Sequence, residues 1–351
     1  MTPNISSTFK RLATATKQLQ AGKMVVLYDD QERENEGDLV FAGSMVDAAK
    51  ITFMAREACG LICLSLPPDK VASLGLQMIN PEAIARNPRG TPFTVSIDAR
   101  EGISTGISAA DRARTIALAC SEQASANDFV APGHLFPLCA DAGGVLARAG
   151  HTEGASDLLR LAALPAGAVI CEIMNPDGTM ARRRELREFA TKHALPMLGV
   201  DDIMLARLLH EPLVQKREFA RVASEFSKYL GTDICCFSYG HSIAGTAAIT
   251  MLIYASGFPF ADDAEVKLSL QNLPSLAEQA DLTTVSAALA VKPALHIAYT
   301  IAPAAPIKDE YIYALLAQIT KSLGAKRPSS ELPALLEEML RYDDIACCEL
   351  L

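Results

Sequence analysis

Short apolar runs alternate with amphipathic stretches along the N-terminal part of the chain. Thr8 to Ala21 sets Leu12, Ala15 and Leu19 on one face between lysines and glutamines, which predicts a helix that Gly22 ends. Met24-Val25-Val26-Leu27 and Leu39-Val40-Phe41-Ala42 follow as two buried strands around a polar loop. Asp47 to Glu57 predicts a helix, Gly60 to Leu66 a strand stopped by Pro67-Pro68, and Phe93 to Asp98 a strand of period two. Between them, Met78 to Pro92 is rich in Asn, Pro and Gly and predicts a loop. Ser108 with Asp111 three residues on predicts an N-cap for a helix to about Cys120. Pro132-Gly133 predicts a turn before a short strand, and Thr152 an N-cap for the amphipathic segment Ala155 to Ala163. Gly167 to Ile173 is a strand, Asn175 to Thr179 a turn, Arg183 to His193 a helix, and Leu198 to Leu209 a last strand and helix. Such alternation predicts an α/β domain, an α+β layered sandwich, over residues 1–212. A second, smaller α/β domain is expected over 213–351, with helices Glu218 to Leu230 and Tyr311 to Leu323 and a strand Ala294 to Ile301.

The chemistry gathers at the ends of these strands. The loop after Leu27 runs Tyr28-Asp29-Asp30-Gln31-Glu32-Arg33-Glu34-Asn35-Glu36-Gly37-Asp38. Acids so close raise one another's pKa unless a cation neutralises them, and Arg33 or a hard divalent metal would serve. A solvated acidic turn is the alternative, but Gly37 and the apolar run that follows favour an enclosed loop. His134 stands alone before an apolar stretch, where a structural role is the commoner one. Arg148, His151 and a predicted helix N-terminus lie within one turn, a combination suited to a phosphate or a metal–phosphate pair. Glu172 interrupts a buried strand near its carboxyl end, so it must be paired, ligate a metal or have a raised pKa. The glycine-containing loop Gly102 to Ile107 could hold an anion at the helix capped by Ser108, although the cap alone also accounts for that serine. Cys59 and Cys63 are expected to be small hydrophobes rather than nucleophiles.

Composition narrows the classes. A net charge of −9 over 351 residues argues against a general nucleic-acid binder, and no apolar run approaches membrane-spanning length. Met1 to Gln20 has no apolar core of a secretion signal, so a cytoplasmic protein is expected. Nine cysteines, two pairs of them adjacent (Cys235-Cys236 and Cys347-Cys348), fit reduced thiols better than a disulfide framework or a structural zinc site.

Five ordered segments carry a family resemblance: Arg33 to Asp38, Ser104 to Arg112, Pro132 to Leu138, Arg148 to Glu153, and Cys171-Glu172. Together they resemble 3,4-dihydroxy-2-butanone 4-phosphate synthase of riboflavin biosynthesis over about residues 5 to 212. The resemblance implies an α/β homodimer that converts ribulose 5-phosphate to dihydroxybutanone phosphate and formate. It implies Mg²⁺, with manganese as an alternative and two ions per site. Glu34 and His151 would hold the metal. Arg33, Glu34, Asp38, Arg148, Ala149, Gly150, His151, Thr152 and Glu172 would contact substrate, and His134 and Glu172 would serve proton transfer. Ala131 departs from the family pattern, in which many members carry arginine before Pro-Gly-His.

Beyond about Pro212 the resemblance stops. Many two-domain relatives continue with GTP cyclohydrolase II, whose closely spaced cysteines and arginine-rich stretch have no counterpart between Leu213 and Leu351. A degenerate or replaced cyclohydrolase domain without zinc is therefore expected, serving stability, assembly or binding. Gly240 to Gly245 approaches a nucleophile elbow, but Ala244 occupies the position that needs glycine, so a tight strand-to-helix turn is the better reading. His296 is expected to be a core histidine. The competing functional class is a non-catalytic sugar-phosphate-binding or scaffolding protein whose C-terminal domain does the work.

Overall fold

A computed structural model describes residues 5–80, 82, 90–211, 313, 317 and 318, and the strand backbones 214–222, 234–241, 249–256, 265–273, 294–301 and 327–328. The chain forms two compact units, residues 6–206 and residues 207–346. The first is built on a seven-stranded mixed sheet in the order β4-β5-β3-β6-β2-β1-β7. These strands are β1 (Val25–Tyr28), β2 (Gly37–Ala42), β3 (Cys63–Leu66), β4 (Ile97–Ala99), β5 (Phe129–Cys139), β6 (Ala168–Glu172) and β7 (Met197–Gly199).

Burial explains why the central strands read as continuous apolar runs. Val25, Val26, Leu27, Leu39, Val40, Phe41, Leu64 and Val169 are all at 0% exposure, as expected where both faces of a sheet are covered. The covering helices are α1 (Ile5–Gln20), α2 (Ala48–Phe53), α3 (Pro68–Ser73), α4 (Ala109–Cys120), α5 (His151–Leu161), α6 (Arg183–Lys192) and α7 (Val200–His210). Each helix end has a local cause. Asp47 caps α2 by accepting from the Lys50 N–H, and α2 continues through a π-turn, Met54–Ala58, to Cys59 in the left-handed region. Ser108 caps α4 through the Asp111 N–H, as its sequence predicts. The buried Asp202 of α7 accepts from Thr8 Oγ1 at 2.8 Å and Arg11 Nε at 3.0 Å of α1.

Two local expectations in this unit are corrected. Pro132-Gly133 is not a turn: β5 runs unbroken from Phe129 to Cys139, with a cis Ala131–Pro132 bond. The extra residues are absorbed as an irregularity against β4, where Ile97 pairs with Leu135 but Asp98 with Val130. Thr152 does not cap α5, because the helix starts at His151, two residues before a cap at Thr152 would place it, with Gly150 in the extended conformation as N-cap. The Thr152 carbonyl instead accepts from Ser65 Oγ at 2.8 Å.

The second unit contains a six-stranded mixed sheet in the order β13-β11-β12-β10-β9-β8. Its strands are β8 (Val214–Val222), β9 (Ile234–His241), β10 (Ile249–Ser256), β11 (Glu265–Leu273), β12 (Ala294–Ile301) and β13 (Arg327–Pro328). The strand predicted at Ala294 to Ile301 is β12, and Tyr313, Ala317 and Gln318 are helical as expected. Glu218 to Val222, expected to open a helix, is strand. That stretch suits either period, and antiparallel pairing from Val214↔His241 to Val222↔Ile234 decides it. The side chain of His296, residues 242–245 of the glycine motif, and residues 223–230 lie outside the described residues, as do 81 and 83–89 of the loop before Pro92.

Candidate active site

The β1–β2 hairpin, with Tyr28 opposite Gly37, closes the acidic loop over residues 29–36. Its organiser is Asp29, 3% exposed, which accepts from the Glu34 N–H at 3.1 Å, the Glu36 N–H at 2.9 Å and Arg33 Nη1 at 2.8 Å. The turn this imposes places Asn35 at φ 55, a conformation asparagine tolerates better than most residues. Arg182 closes the loop from the far side of the chain. Its Nη1 donates to the carbonyls of Glu34 and, at 3.1 Å, of Asn35, and lies 3.4 Å from Glu36 Oε1. Next to it, the Arg183 guanidinium stacks on the Tyr28 ring.

Glu34 is thereby aimed at the first residue of α5. Its Oε2 lies 3.7 Å from His151 Nδ1 and 2.7 Å from Arg33 Nη1. Donor atoms of Asp29, Glu34 and His151 all fall within 4.8 Å of one another. Contact with His151, reinforced by Arg33 against the cost of burial, pulls the Glu34 carboxyl down to about 2. Burial opposes charge on His151, but the carboxylates of Asp38, Glu34 and Asp29 outweigh it and raise the imidazole to about 9. Asp38, at the start of β2, is opposite in behaviour. Burial pushes its carboxyl up to about 7, against the favourable charge of His151 and with Glu172, Glu34 and Glu36 adding to the rise.

Asp38 pairs in register with Glu172 on the neighbouring strand β6. Of the three fates open to Glu172, pairing is realised, since its Oε2 accepts from the Leu61 N–H at 2.8 Å. Gly60 permits that approach, because a Cβ there would stand 2.3 Å from the Glu172 carbonyl oxygen. Arg148 Nη1 is held at 2.6 Å by Glu153, a fully buried carboxylate that also accepts from the Asp141 N–H. The segment Arg148-Ala149-Gly150-His151-Thr152 thus enters α5 in a fixed conformation, with its N-terminal N–H groups beside His151.

His134 lies across β3 from Glu172. It lies on β5, separated from β6 by β3, so at ordinary strand spacing about 10 Å separates it from the Glu172 strand. Its partner is Asp98, at 2.7 Å from Nδ1. Cys63 is buried in β3 and its thiol is pushed upward by desolvation, which makes it a packing residue as expected. Three side chains that hold the candidate site residues in place escape sequence reasoning: Asp29, Asp98 and Arg182. Asp29 belongs to the acidic run, and Asp98 ends the stretch whose period predicted a strand and lies mid-way along β4, but neither position signals its partner.

The donor set of two carboxylates and an imidazole suits a hard divalent cation. Two buried polar atoms here, His151 Nε2 and Asp38 Oδ1, have no hydrogen-bond partner among the described residues, which is what a site built for a further ligand leaves behind. The profile of the 3,4-dihydroxy-2-butanone 4-phosphate synthase family matches residues 13–206. The chain belongs to this family. It is 50% identical over 200 residues to the synthase of Pseudomonas aeruginosa and 46% identical over 245 residues to the riboflavin biosynthesis protein RibBA of Aquifex aeolicus. These matches cover 56% and 69% of this chain but only 54% and 59% of those relatives. The synthase of Cupriavidus pinatubonensis is 48% identical and is matched over 89% of its length, against 57% of this chain. Among solved structures, the chain resembles RibBX, a two-domain synthase from A. baumannii, with a TM-score of 0.73 and 31% identity over 93% of this chain and 95% of that one. A synthase solved in complex with two magnesium ions matches 56% of this chain and 96% of its own, with a TM-score of 0.53 and 38% identity.

Proposed function

We propose that this chain is a magnesium-dependent lyase that converts D-ribulose 5-phosphate to 3,4-dihydroxy-2-butanone 4-phosphate and formate, acting in riboflavin biosynthesis as a cytoplasmic homodimer. The observation that carries the reading is the meeting of Glu34 and His151, 3.7 Å apart, beside Asp38 and Glu172. Glu34 and His151 would hold the ion, with Asp29 in reach, and manganese is the alternative metal. A dication held there would supply charge stabilisation to oxygens that become negative during the reaction.

The remaining roles belong to the chain's own side chains. Asp38, with its carboxyl near neutrality, suits taking up and returning a proton at physiological pH. Arg33 and the Arg148 to Thr152 segment supply cationic and N–H donors for the substrate, with the phosphate at the α5 N-terminus. Anchoring the phosphate there lets one set of groups serve successive steps on the sugar. Glu172 and His134 supply further acid–base capacity. The catalytic domain is taken to be residues 1–212, and 213–351 to serve stability or assembly.

Formate release from ribulose 5-phosphate, followed with a formate-specific coupled assay, tests the reading. Mg²⁺-dependent turnover that disappears in Glu34→Ala and in His151→Ala is the expected outcome. A purified, folded protein that binds ribulose 5-phosphate yet yields no formate with Mg²⁺ or Mn²⁺ would favour the scaffolding alternative instead.

A further inference from the structure

Asp98 and His134 form a unit whose construction goes beyond a chance contact. Gly133 makes it possible: a Cβ there would fall 2.0 Å from the Ile97 carbonyl carbon and 2.3 Å from the Asp98 nitrogen, so only glycine lets β5 press against β4 at this point. The Gly133 N–H donates to Ser96 Oγ at 3.1 Å, which fixes the approach. Both oxygens of Asp98 are then spent on one residue. Oδ1 accepts from the His134 backbone N–H at 2.9 Å, and Oδ2 lies 2.7 Å from the ring Nδ1. The Asp98 side chain is 8% exposed while that of His134 is 42% exposed, so the carboxylate is interior and the imidazole reaches outward.

A loop seals the pair. Gly106 stands at φ +95, and a Cβ on it would lie 2.2 Å from Asp98 Oδ2 and 2.5 Å from His134 Nδ1. The loop is pinned there by Asp111, which accepts from Ser104 N at 3.0 Å, Ser104 Oγ at 2.7 Å and Gly106 N at 3.0 Å. A carboxylate–imidazole bond shielded in this way is electrostatically stronger than one in water. A carboxylate bound to Nδ1 also sets the tautomer, because it requires a proton on that nitrogen and leaves the lone pair on Nε2.

We propose that Asp98 is the positioning residue for His134. It holds the ring in the Nδ1–H tautomer so that Nε2 is the nitrogen offered to the reaction, with Gly106 excluding water from their bond. The proposal rests on the reading of His134 as a proton-transfer group.

The full chain has six histidines, few enough for ¹⁵N-histidine NMR with His134 assigned from the His134→Ala spectrum. The neutral ring should show Nδ1 protonated in the wild type and a shift toward the Nε2–H form in Asp98→Asn. In formate release, Asp98→Asn should lower kcat about 10²–10⁴-fold with KM changed less than about threefold. In a His134→Ala background the same substitution should change the rate less than about twofold, because its effect passes through the imidazole. If Asp98→Asn does not fold, Gly106→Ala, which forces the carboxylate off the ring without altering charge, should give the same tautomer change. An unchanged tautomer in the folded variant, or a double mutant markedly slower than His134→Ala, overturns the proposal. Wild-type turnover in His134→Ala would instead overturn the reading of His134 while leaving the tautomer result standing, so the two failures can be told apart.

Discussion

Replacing Asp38 with asparagine should trade activity for stability, and the size of the trade can be worked from the site. Asp38 is 3% exposed, and its carboxyl is pushed up to about 7 by burial from an ordinary 3.8. Because the folded-state value exceeds the unfolded one, the unfolded chain releases this proton first, and stability is lost as pH rises between those two values. With about 1.4 kcal/mol per unit, the cost is about 2 kcal/mol at pH 5 and about 4 kcal/mol at pH 8. Asparagine, of the same shape and never ionised, escapes this cost. The metal-free Asp38→Asn variant should therefore gain about 2–3 kcal/mol on the wild type between pH 5 and pH 8. In a unit of about 200 residues that is on the order of 5–10 °C in Tm. Thermal unfolding of both proteins in chelator at the two pH values measures it, and formate release should fall in the variant. A Tm difference that stays constant from pH 5 to pH 8 would refute the account, because it would mean that Asp38 ionises as readily in the fold as in the open chain.

His151 predicts a second pH effect of opposite chemistry. Its imidazole is raised to about 9, so it is charged near pH 8 and must lose a proton to ligate a metal, whereas Glu34, held at about 2, has none to lose. Calorimetry of Mg²⁺ binding near pH 8 in buffers of different ionisation enthalpy should show release of about one proton; no buffer dependence would remove His151 from the ligand set. Arg182→Met should unfasten the acidic loop, raising the Mg²⁺ concentration for half-maximal rate about tenfold, as loss of a ligand-orienting partner does elsewhere, while kcat at saturating Mg²⁺ is kept. An unchanged Mg²⁺ dependence would show that the clasp is idle. Truncation after Leu209 should leave Mg²⁺-dependent formate release in the soluble fragment, and an inactive but folded fragment would assign residues 213–351 a part in the chemistry.

The elements legible in the sequence are those whose cause is local. Val25 to Leu27 and Leu39 to Ala42 are apolar throughout because both faces of their strands are covered, and Ser108 announces α4 because its cap partner is three residues away. Where two local signals competed, the tertiary partner decided. Pro132-Gly133 has the composition of a turn, yet Gly133 is needed for a close crossing with β4 that only the assembled sheet defines. Thr152 has the chemistry of an N-cap, but Gly150 reaches the extended conformation one residue before the helix, and Thr152 is drawn inward against Ser65. Glu218 to Val222 fits two periods, and the strand beside it settles which is used.

The same division runs through the site. Glu34, His134, His151 and Glu172 stand out in the motifs, but the groups that set their behaviour are unremarkable in sequence: Asp29 is one acid among six, Asp98 lies 36 residues from His134, and Arg182 lies 148 from Glu34. Nor can a list of carboxylates show that Glu34 is pulled to about 2 while Asp38 is pushed to about 7. The two differ in exposure and in what faces them. Glu34 is half open and touches Arg33 and His151, whereas Asp38 is closed off with one oxygen unpartnered among the described residues. Divergent environments for neighbouring acids are what allow one to stay ionised for a metal while the other carries a proton near neutrality. That separation exists only once β2, β6, the hairpin loop and the start of α5 have come together.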